Sequence, residues 1–283
     1  MTTMRKIQAE IITEAIKNLL LDANFSIPRD VLRKIKIAHN KENNPRAKMI
    51  FEQILKNENI ARQEKIPLCQ DTGTAVVFLE VGQDIQIVGG NLTDAVNEGV
   101  RRAYKKGYLR NSIVADPLER KNTGDNTPAV IHTEIVQGSK LKISVLAKGG
   151  GAENMSALKM FAPSATIKDI KNFIVETVIS AGANACPPVV VGVGLGGTFD
   201  TVGVLAKKSL LRELDSKNPK KICQKLEKEI LADINKTGLG PMALGGRTTA
   251  LAVLIETAPT HITSLPVAVN IQCHALRKKS VVL

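Results

Sequence analysis

Apolar residues recur along the chain with two different periods, and the alternation of these periods predicts helices and strands within one molecule. Near the N-terminus the apolar positions follow one helix face, at Ile7, Ile11, Ile12, Ala15, Ile16, Leu19 and Leu20. Pro28 opens a second helix, and Pro45 opens a third. The pattern therefore predicts a mainly helical segment over residues 1–64.

Beyond residue 64 short apolar runs alternate with amphipathic segments. The pattern predicts strands over 74–81, 128–136, 141–147, 188–193, 248–257 and 267–273. It predicts helices over 93–106, 167–181 and 219–237. The strands at 128–136 and 141–147 are expected to pair as a hairpin around Gly138 and Ser139. The fold class is therefore mixed α/β (α+β): an N-terminal helical segment, then an α/β region with glycine-rich loops, in one domain of residues 1–283.

Composition narrows the class of protein. Hydrophobic residues make up 43% of the 283 positions, whereas aromatic residues make up 3%, so the core must consist mainly of Ile, Val, Leu and Ala. No apolar run is long enough for a transmembrane helix, and the charged N-terminus does not resemble a secretory signal, so we expect a cytoplasmic protein without membrane contact. The net charge of +12 is spread along the chain without interleaved aromatic residues, which argues against nucleic acid. A solvated surface, an acidic partner subunit and a small anionic substrate remain open.

The four cysteines fall into two groups. Cys223 lies on the apolar stripe of a predicted helix, which is typical of a small core residue. In contrast, Cys69, Cys186 and Cys273 lie where predicted elements begin or end, which is where ligands and catalytic groups collect. They are either three unrelated buried thiols or one shared site. Three thiolates without histidine would favour an iron–sulfur cluster with one open iron over zinc.

Three glycine-rich loops lie at 148–154, 192–197 and 238–246. The second matches G-x-G-x-x-G, which is typical of a dinucleotide site, but residues 198–201 do not predict the helix that such a site needs. Close approach of the backbone to a compact anion is the better hypothesis, because successive glycines expose N–H groups without Cβ clashes. Lys148, Glu153 and Asn154 would add charge and hydrogen bonds, and Arg110 could bind a carboxylate in a bidentate way or be an exposed helix-end residue.

Four segments together resemble one family. They are IPLCQDTGT at 66–74, KGGGAENMS at 148–156, ANACPPVVVGVGLGGT at 183–198 and PTHITSLPVAVNIQCHALR at 259–277. In this order they resemble the α-type part of the class I fumarate hydratase and tartrate dehydratase family. The resemblance runs from about residue 5 to the C-terminus and shows no departure at the three matching cysteines.

The resemblance implies a cofactor, a reaction and a set of site residues. It implies a [4Fe-4S] cluster on Cys69, Cys186 and Cys273, with Cys223 left out, and reversible addition of water to a dicarboxylate double bond. Asp71 would act as acid or base, although a turn residue that orients the Cys69 loop is the alternative. His261 would be a proton relay or carboxylate donor, or else a structural histidine. The implied substrate contacts are Gln70, Asp71, Arg110, Gly149, Gly150, Gly151, Ala152, Glu153 and Asn154.

The resemblance also implies a partner. Single-chain relatives continue into a β-type domain, whereas this sequence ends ten residues after Cys273, so we expect an alpha subunit in a hetero-oligomer with a β subunit that completes the site. Residues 65–283 would bind cluster and substrate. The expected reaction is hydration of fumarate to (S)-malate, preferred for its place in central metabolism, with L(+)-tartrate dehydration as the alternative. Hypotheses of other classes are a non-catalytic iron–sulfur binding or regulatory module and a nucleotide-dependent oxidoreductase.

Overall fold

Helices dominate the first 64 residues, and strands alternate with helices thereafter, in the computed structural model, which describes residues 4–283. The helices are α1 (Ala9–Phe25), α2 (Arg29–Lys41), α3 (Pro45–Glu64), α4 (Leu92–Lys106), α5 (Gly150–Glu153), α6 (Ile167–Ala181), α7 (Phe199–Ser209) and α8 (Lys221–Lys236). The strands are β1 (Arg5–Gln8), β2 (Thr74–Gly82), β3 (Ile85–Val88), β4 (Val130–Val136), β5 (Leu141–Lys148), β6 (Ala157–Phe161), β7 (Val189–Gly197), β8 (Ala250–Thr260), β9 (Leu265–Gln272) and β10 (Lys278–Val282). The predicted α+β class with a helical N-terminal segment is confirmed.

The chain divides into two compact units, and the division does not follow the order of the sequence. The first unit comprises the described residues up to Pro28, Asn57–Gly150 and Arg277–Leu283, and the second comprises Arg29–Lys56 and Gly151–Leu276. The single domain of residues 1–283 stays a prediction. Among residues 4–283 no helix has both the length and the apolar character needed to cross a membrane.

The first unit is built on a four-stranded sheet with the strand order β10-β5-β2-β4. Helices α1 and α4 pack against each other in this unit, because each presents a stripe of apolar side chains with the period of a helix. Asn91 caps α4 by accepting hydrogen bonds from the N–H groups of Thr93 and Asp94. The core of the unit collects the buried residues Ile12, Ile16, Leu20, Val77, Leu79, Val96, Val100, Ile143 and Val145.

The predicted hairpin between β4 and β5 is wrong, because β2 lies between these two strands. Strand β2 pairs with β4 in parallel and with β5 in antiparallel. The centre of β2 is fully buried, so its backbone needs hydrogen-bond partners on both edges, whereas the largely exposed β4 can occupy the edge of the sheet. The connection over residues 137–140 is long enough to pass one strand, a distance of about 10 Å.

The second unit is built on a sheet with the strand order β6-β9-β7-β8. A capping box between Thr166 and Asp169 precedes helix α6, and Gly182 follows its last residue, so the helix has the bounds 167–181 that the sequence predicts. The buried residues of α6 and α8 pack with those of the sheet into one core, which includes Ile174, Val178, Val191, Val193, Cys223, Leu226, Ile230, Val253, Val269 and Ile271.

The expectation that no helix follows residues 192–197 is wrong. Helix α7 begins at Phe199, directly after β7, with a capping box between Thr198 and Thr201. Two glycines of β7 bring this helix close, since a Cβ on Gly192 would lie 2.3 Å from the Ala206 carbonyl oxygen. A Cβ on Gly194 would lie 2.3 Å from the Val202 carbonyl oxygen. These two glycines of the G-x-G-x-x-G pattern therefore serve the packing of a helix on a sheet.

Candidate active site

The loop that carries Cys69 and Asp71 lies at one edge of the sheet of the first unit. Thr74 opens β2 and pairs with Lys148, the last residue of β5, so the segments just before β2 and just after β5 are neighbours. Gly73 makes this approach possible: its φ is +81°, and a Cβ there would lie 2.7 Å from the Lys148 carbonyl carbon. The tertiary structure thus brings the QDTG turn beside the first glycines of the triple-glycine loop.

Both carboxylate oxygens of Asp71 accept hydrogen bonds from the backbone. Oδ1 accepts from the N–H of Gly73 at 3.0 Å, which makes an Asx turn, and Oδ2 accepts from the N–H of Gly150 at 2.7 Å. The Asp71 side chain is half-buried, whereas Cys69 and Gln70 are exposed. The two hydrogen bonds fix the orientation of the carboxylate, and each oxygen keeps further acceptor capacity.

The buried hydroxyl group of Tyr104 binds the backbone of this loop. The Tyr104 hydroxyl lies 3.1 Å from the Thr72 carbonyl oxygen and 2.6 Å from that of Gly73, and it donates to these acceptors. Burial raises the pKa of Tyr104 to about 12; the nearby Arg277 charge acts to lower it and Asp71 acts to raise it. The phenol therefore stays a neutral donor at physiological pH.

Arg110 is joined to the same loop through its backbone. The Thr72 hydroxyl donates to the Arg110 carbonyl oxygen at 3.1 Å and accepts from the Arg110 N–H at 3.0 Å. The Arg110 residue is exposed, so its guanidinium is accessible to an anionic ligand. The structure thus brings Gln70, Asp71, Arg110, Gly149 and Gly150 together in one unit, and leaves the sequence-predicted contacts Gly151, Glu153 and Asn154 to the other.

In the second unit, Cys186 and Cys273 lie at the same edge of the sheet. Residue Val190 of β7 pairs with Gln272 of β9 in antiparallel, so the segment before β7 and the segment after β9 meet there. His274 Nδ1 lies 3.1 Å from the Cys186 carbonyl oxygen, which connects the two segments directly. The Gln272 side-chain amide lies 3.4 Å from the Cys273 sulfur, at a distance suited to an N–H···S hydrogen bond.

The Glu153 carboxylate belongs to a polar network of the second unit. It forms an ion pair with Lys207 and accepts a hydrogen bond from the Asn270 side-chain amide at 2.9 Å. Asn270 also contacts the Ser156 hydroxyl at 3.2 Å, and that hydroxyl accepts from the Ile271 N–H. These contacts tie α5 to β9 and α7. Asn154, next to Glu153, is exposed.

His261 is not brought together with the cysteines of its own unit. It follows β8 directly, and β8 runs parallel to β7 with Gly197 paired to Thr260. His261 therefore lies at the edge where β7 ends, whereas Cys186 lies at the edge where β7 begins, about 30 Å away along the strands. The imidazole is exposed, and its Nδ1 lies 2.8 Å from the Thr263 hydroxyl.

The four thiols differ in a way that suits an iron–sulfur cluster. Cys69 and Cys186 are exposed and Cys273 is half-buried, while Cys223 is buried in the core, where burial raises the pKa of its thiol. No three His, Cys, Asp or Glu side chains within residues 4–283 converge as ligands of a single metal ion. Ligands of a cubane cluster bind different iron atoms, and three accessible thiols on sheet-edge loops are the donor type that a cluster requires.

Two buried residues beside the Asp71 loop, Tyr104 and Arg277, were not predicted from the sequence. Arg277 donates a hydrogen bond to the Asp71 carbonyl oxygen and is 1% exposed. Tyr104 occupies an apolar position on α4, so its pattern is that of a core residue. Arg277 closes the segment 259–277 and is followed directly by Lys278 and Lys279, so in the sequence its charge carried no signal that set it apart.

Comparisons with known proteins identify the family of the chain. The family model described as fumarate hydratase (fumerase) matches residues 13–282. A protein of Methanocaldococcus jannaschii, whose name provisionally identifies it as an L(+)-tartrate dehydratase subunit alpha, is 42% identical over 276 residues, covering 94% of this chain and 95% of the relative. The L(+)-tartrate dehydratase subunit alpha of Escherichia coli K12 and that of Shigella sonnei are each 32% identical over 270 residues, covering 94% of this chain and 89% of the relative.

Proposed function

This chain belongs to the fumarate hydratase (fumerase) family, whose members are hydro-lyases, and we propose that it is the alpha subunit of a [4Fe-4S]-dependent hydro-lyase acting on a dicarboxylate. The observation that carries the proposal is the Asp71 carboxylate, held by the N–H groups of Gly73 and Gly150 on the loop that also carries Cys69. The proposed reaction is hydration of fumarate to (S)-malate. Dehydration of L(+)-tartrate is the second candidate, because the relatives carry that name.

We assign Cys69, Cys186 and Cys273 as the ligands of the cluster. Their exposure and the N–H···S contact at Cys273 support this assignment, and the buried position of Cys223 supports its exclusion. When bound, the cluster supplies an electrophilic iron, which favours departure or addition of a hydroxyl group.

Asp71 is the proposed acid and base. Removal of the proton next to a substrate carboxylate needs a base with a fixed orientation, and the two backbone hydrogen bonds provide that orientation. Its lone pairs beyond those two bonds can receive the proton in one direction of the reaction, and the resulting acid returns it in the other. The same two bonds make an Asx turn, so the structural role weighed from the sequence and the catalytic role coexist in one side chain.

The other predicted contacts would bind and orient the two carboxylates of the substrate. Arg110 offers a guanidinium fork, and Gln70 offers an amide. The N–H groups of Gly149 and Gly151 can approach an anion closely, whereas that of Gly150 already donates to Asp71 Oδ2, so the place of Gly150 among the contacts rests on the family resemblance. The exposed Asn154 offers a further amide. For Glu153 and His261 the proposal rests on the family resemblance, since the contacts of Glu153 with Lys207 and Asn270 are structural and His261 lies at the far edge of its sheet.

A β-type partner subunit is part of the proposal. The relatives are named as alpha subunits, so we propose that this chain forms a hetero-oligomer with a β subunit that completes the binding of the dicarboxylate, and that the enzyme works in the cytoplasm. The net charge of +12 supports attraction of both an acidic partner and an anionic substrate.

The function is tested with the alpha chain co-expressed with its β partner and reconstituted anaerobically with iron and sulfide. Turnover of fumarate, (S)-malate and L(+)-tartrate is then compared under identical conditions. The higher kcat/KM identifies the substrate. A complex that carries its cluster but turns over none of the three would refute the hydro-lyase and favour the non-catalytic module.

The ligand set is tested by substitution of each cysteine. Cys69→Ser, Cys186→Ser and Cys273→Ser should each abolish the broad visible absorption of the cluster and the activity. Cys223→Ser is the matched control, and it should keep both, because its side chain lies in the core of the second unit. If the variant of Cys69, Cys186 or Cys273 kept the full absorption of the cluster, that cysteine would not be a ligand.

The role of Asp71 is tested by Asp71→Asn, which keeps the shape of the side chain. We expect kcat to fall by about 10²–10⁴-fold while the cluster absorption is retained. Normal turnover with an intact cluster would show that another group moves the proton.

A further inference from the structure

Arg277 is a fully buried arginine at the start of the last strand of the first unit. It directly precedes β10, and its carbonyl oxygen accepts a hydrogen bond from the Ala147 N–H at 2.9 Å, so its backbone is fixed against the end of β5. Its residue is 1% exposed. A guanidinium is always charged, and burial of a charge is costly unless polar groups surround it, so we expect hydrogen-bond acceptors next to Arg277.

The guanidinium contacts the backbone of the Asp71 loop. Nη1 donates to the Asp71 carbonyl oxygen and to the Asn24 Oδ1, the latter at 3.3 Å. Within residues 4–283 the Nε has no hydrogen-bond partner. One of the two hydrogen bonds of this buried charge is therefore to the residue proposed as acid and base.

The Gly149 backbone lies beside both the guanidinium of Arg277 and the carboxylate of Asp71. A Cβ on Gly149 would lie 3.2 Å from Arg277 Nη2 and 3.2 Å from Asp71 Oδ2, so these two atoms are separated by no more than twice that distance. Arg277 is buried but Asp71 is half-buried, so the opposite charges attract across this gap with partial screening by solvent. Arg277 thus acts on Asp71 at two points, the carbonyl oxygen through a hydrogen bond and the carboxylate through its charge.

We propose that Arg277 is a positioning residue, which holds the Asp71 backbone and carboxylate in the orientation that proton transfer requires. This inference rests on the proposed function for the identity of the reaction. Arg277 itself is shielded from solvent and acts through Asp71. Substitution of Arg277 should leave the Asp71 carboxylate present but no longer fixed in orientation. We therefore expect kcat to fall.

The test compares Arg277→Met and Arg277→Lys with the wild type, Asp71→Asn and the double variant Arg277→Met/Asp71→Asn, all as the reconstituted complex. We expect Arg277→Met to lower kcat at least tenfold with KM changed less than threefold. Arg277→Lys keeps the positive charge but not the planar guanidinium, and its kcat should fall less than that of Arg277→Met. The double variant should be no slower than Asp71→Asn alone, because both substitutions remove the same contribution.

Arg212→Lys is the matched control. Arg212 also donates from Nη1 to a backbone carbonyl oxygen, that of Ile255, and forms an ion pair with Glu227, but it belongs to the second unit, whereas the Asp71 loop belongs to the first. Its substitution should leave kcat and KM unchanged. The positioning role would be overturned if the fold-loss of kcat in the double variant equalled the product of the losses in Arg277→Met and Asp71→Asn. It would also be overturned if Arg277→Met changed only KM.

A second readout does not depend on catalysis. In the cluster-free chain, hydrogen–deuterium exchange at the Gly73 and Gly150 amides reports the two hydrogen bonds to the Asp71 carboxylate. Arg277→Met should accelerate exchange at both amides at least tenfold while the centre of β2 stays protected; if this variant does not fold, Arg277→Lys is measured instead. Unchanged exchange at both amides in the variant would overturn the inference. If exchange is accelerated in the variant but the wild-type complex has no hydro-lyase activity, the positioning of Asp71 by Arg277 stands and the proposed function is refuted.

Discussion

Gly99 lies in the middle of α4, at the place where this helix packs against α1. A Cβ on Gly99 would lie 2.7 Å from the Thr13 carbonyl oxygen and 2.7 Å from the Ile16 Cβ. The Thr13 hydroxyl also donates to the Ala95 carbonyl oxygen at 3.0 Å, so the two helices are fixed to each other one turn away. Gly99→Ala therefore tests how closely α1 and α4 approach.

Two effects of opposite sign decide the outcome. Alanine is favoured over glycine in a helix interior by about 1 kcal/mol. Overpacking of a well-packed interface costs about 1–3 kcal/mol, and we expect the upper end, because a backbone oxygen and a Cβ cannot turn aside as a long side chain can. The net result should be a destabilisation of about 2 kcal/mol.

Gly203→Ala is the matched control for this prediction. Gly203 lies inside α7, and a Cβ there would meet nothing within 4 Å. The same chemical change should therefore stabilise the protein by about 0.5–1 kcal/mol, since only the helix propensity and the entropy of the unfolded chain are affected.

Urea unfolding followed by far-ultraviolet circular dichroism measures both variants against the wild type. The free energy of unfolding should fall for Gly99→Ala and rise for Gly203→Ala, with similar slopes against urea. Equal stabilisation by both substitutions would refute the close packing of α1 on α4, because the Gly99 contact would then have no energetic consequence.

Three further predictions concern other residues. Tyr104→Phe should destabilise the protein by about 1–3 kcal/mol, since two buried carbonyl oxygens lose a donor. The pKa of Tyr104 is about 12 in the folded protein against an ordinary 10.0, so its contribution to the free energy of unfolding is fully present below pH 10.0 and is lost as the pH rises towards 12. In unfolding experiments the wild type should show this loss at alkaline pH, and Tyr104→Phe should not. Thr166→Ala should cost about 1 kcal/mol by removing the capping box of α6, whereas Thr263→Ala, outside any helix, should cost less, and equal losses in thermal unfolding would contradict the capping role. His261→Ala should leave the cluster absorption unchanged, because His261 and the cysteines of its unit occupy opposite edges of one sheet, and loss of that absorption would contradict this placement.

Local patterns in the sequence were sufficient for most elements. The apolar period located α1, α4, α6 and α8, and the runs of β-branched residues located β2, β7, β8 and β9, because periodicity records which face of an element is buried. The same patterns identified Cys223 as a core residue. The short strands β1, β3, β6 and β10 were missed, since four or five residues are too few to show a clear period, and α7 was missed because it directly follows a glycine-rich segment that was interpreted as a loop.

The family resemblance implied that the QDTG turn and the triple-glycine loop belong to a site, but only the tertiary structure showed which groups hold Asp71. Pairing of Thr74 with Lys148 brings together segments that are far apart in the chain, and the hydrogen bond from Gly150 to Asp71 depends on that pairing. The pairing partner of a strand depends on which edges remain unsatisfied, as the position of β2 between β4 and β5 demonstrates. Likewise, Arg277 reads in sequence as one charge among many, and its burial beside Asp71 follows only from the packing of β10 on β5. The sequence by itself determined most of the elements and all of the chemical groups, because these depend on local period and residue type. The tertiary structure decided which groups meet, because long-range pairing obeys hydrogen-bond satisfaction and burial across the whole unit.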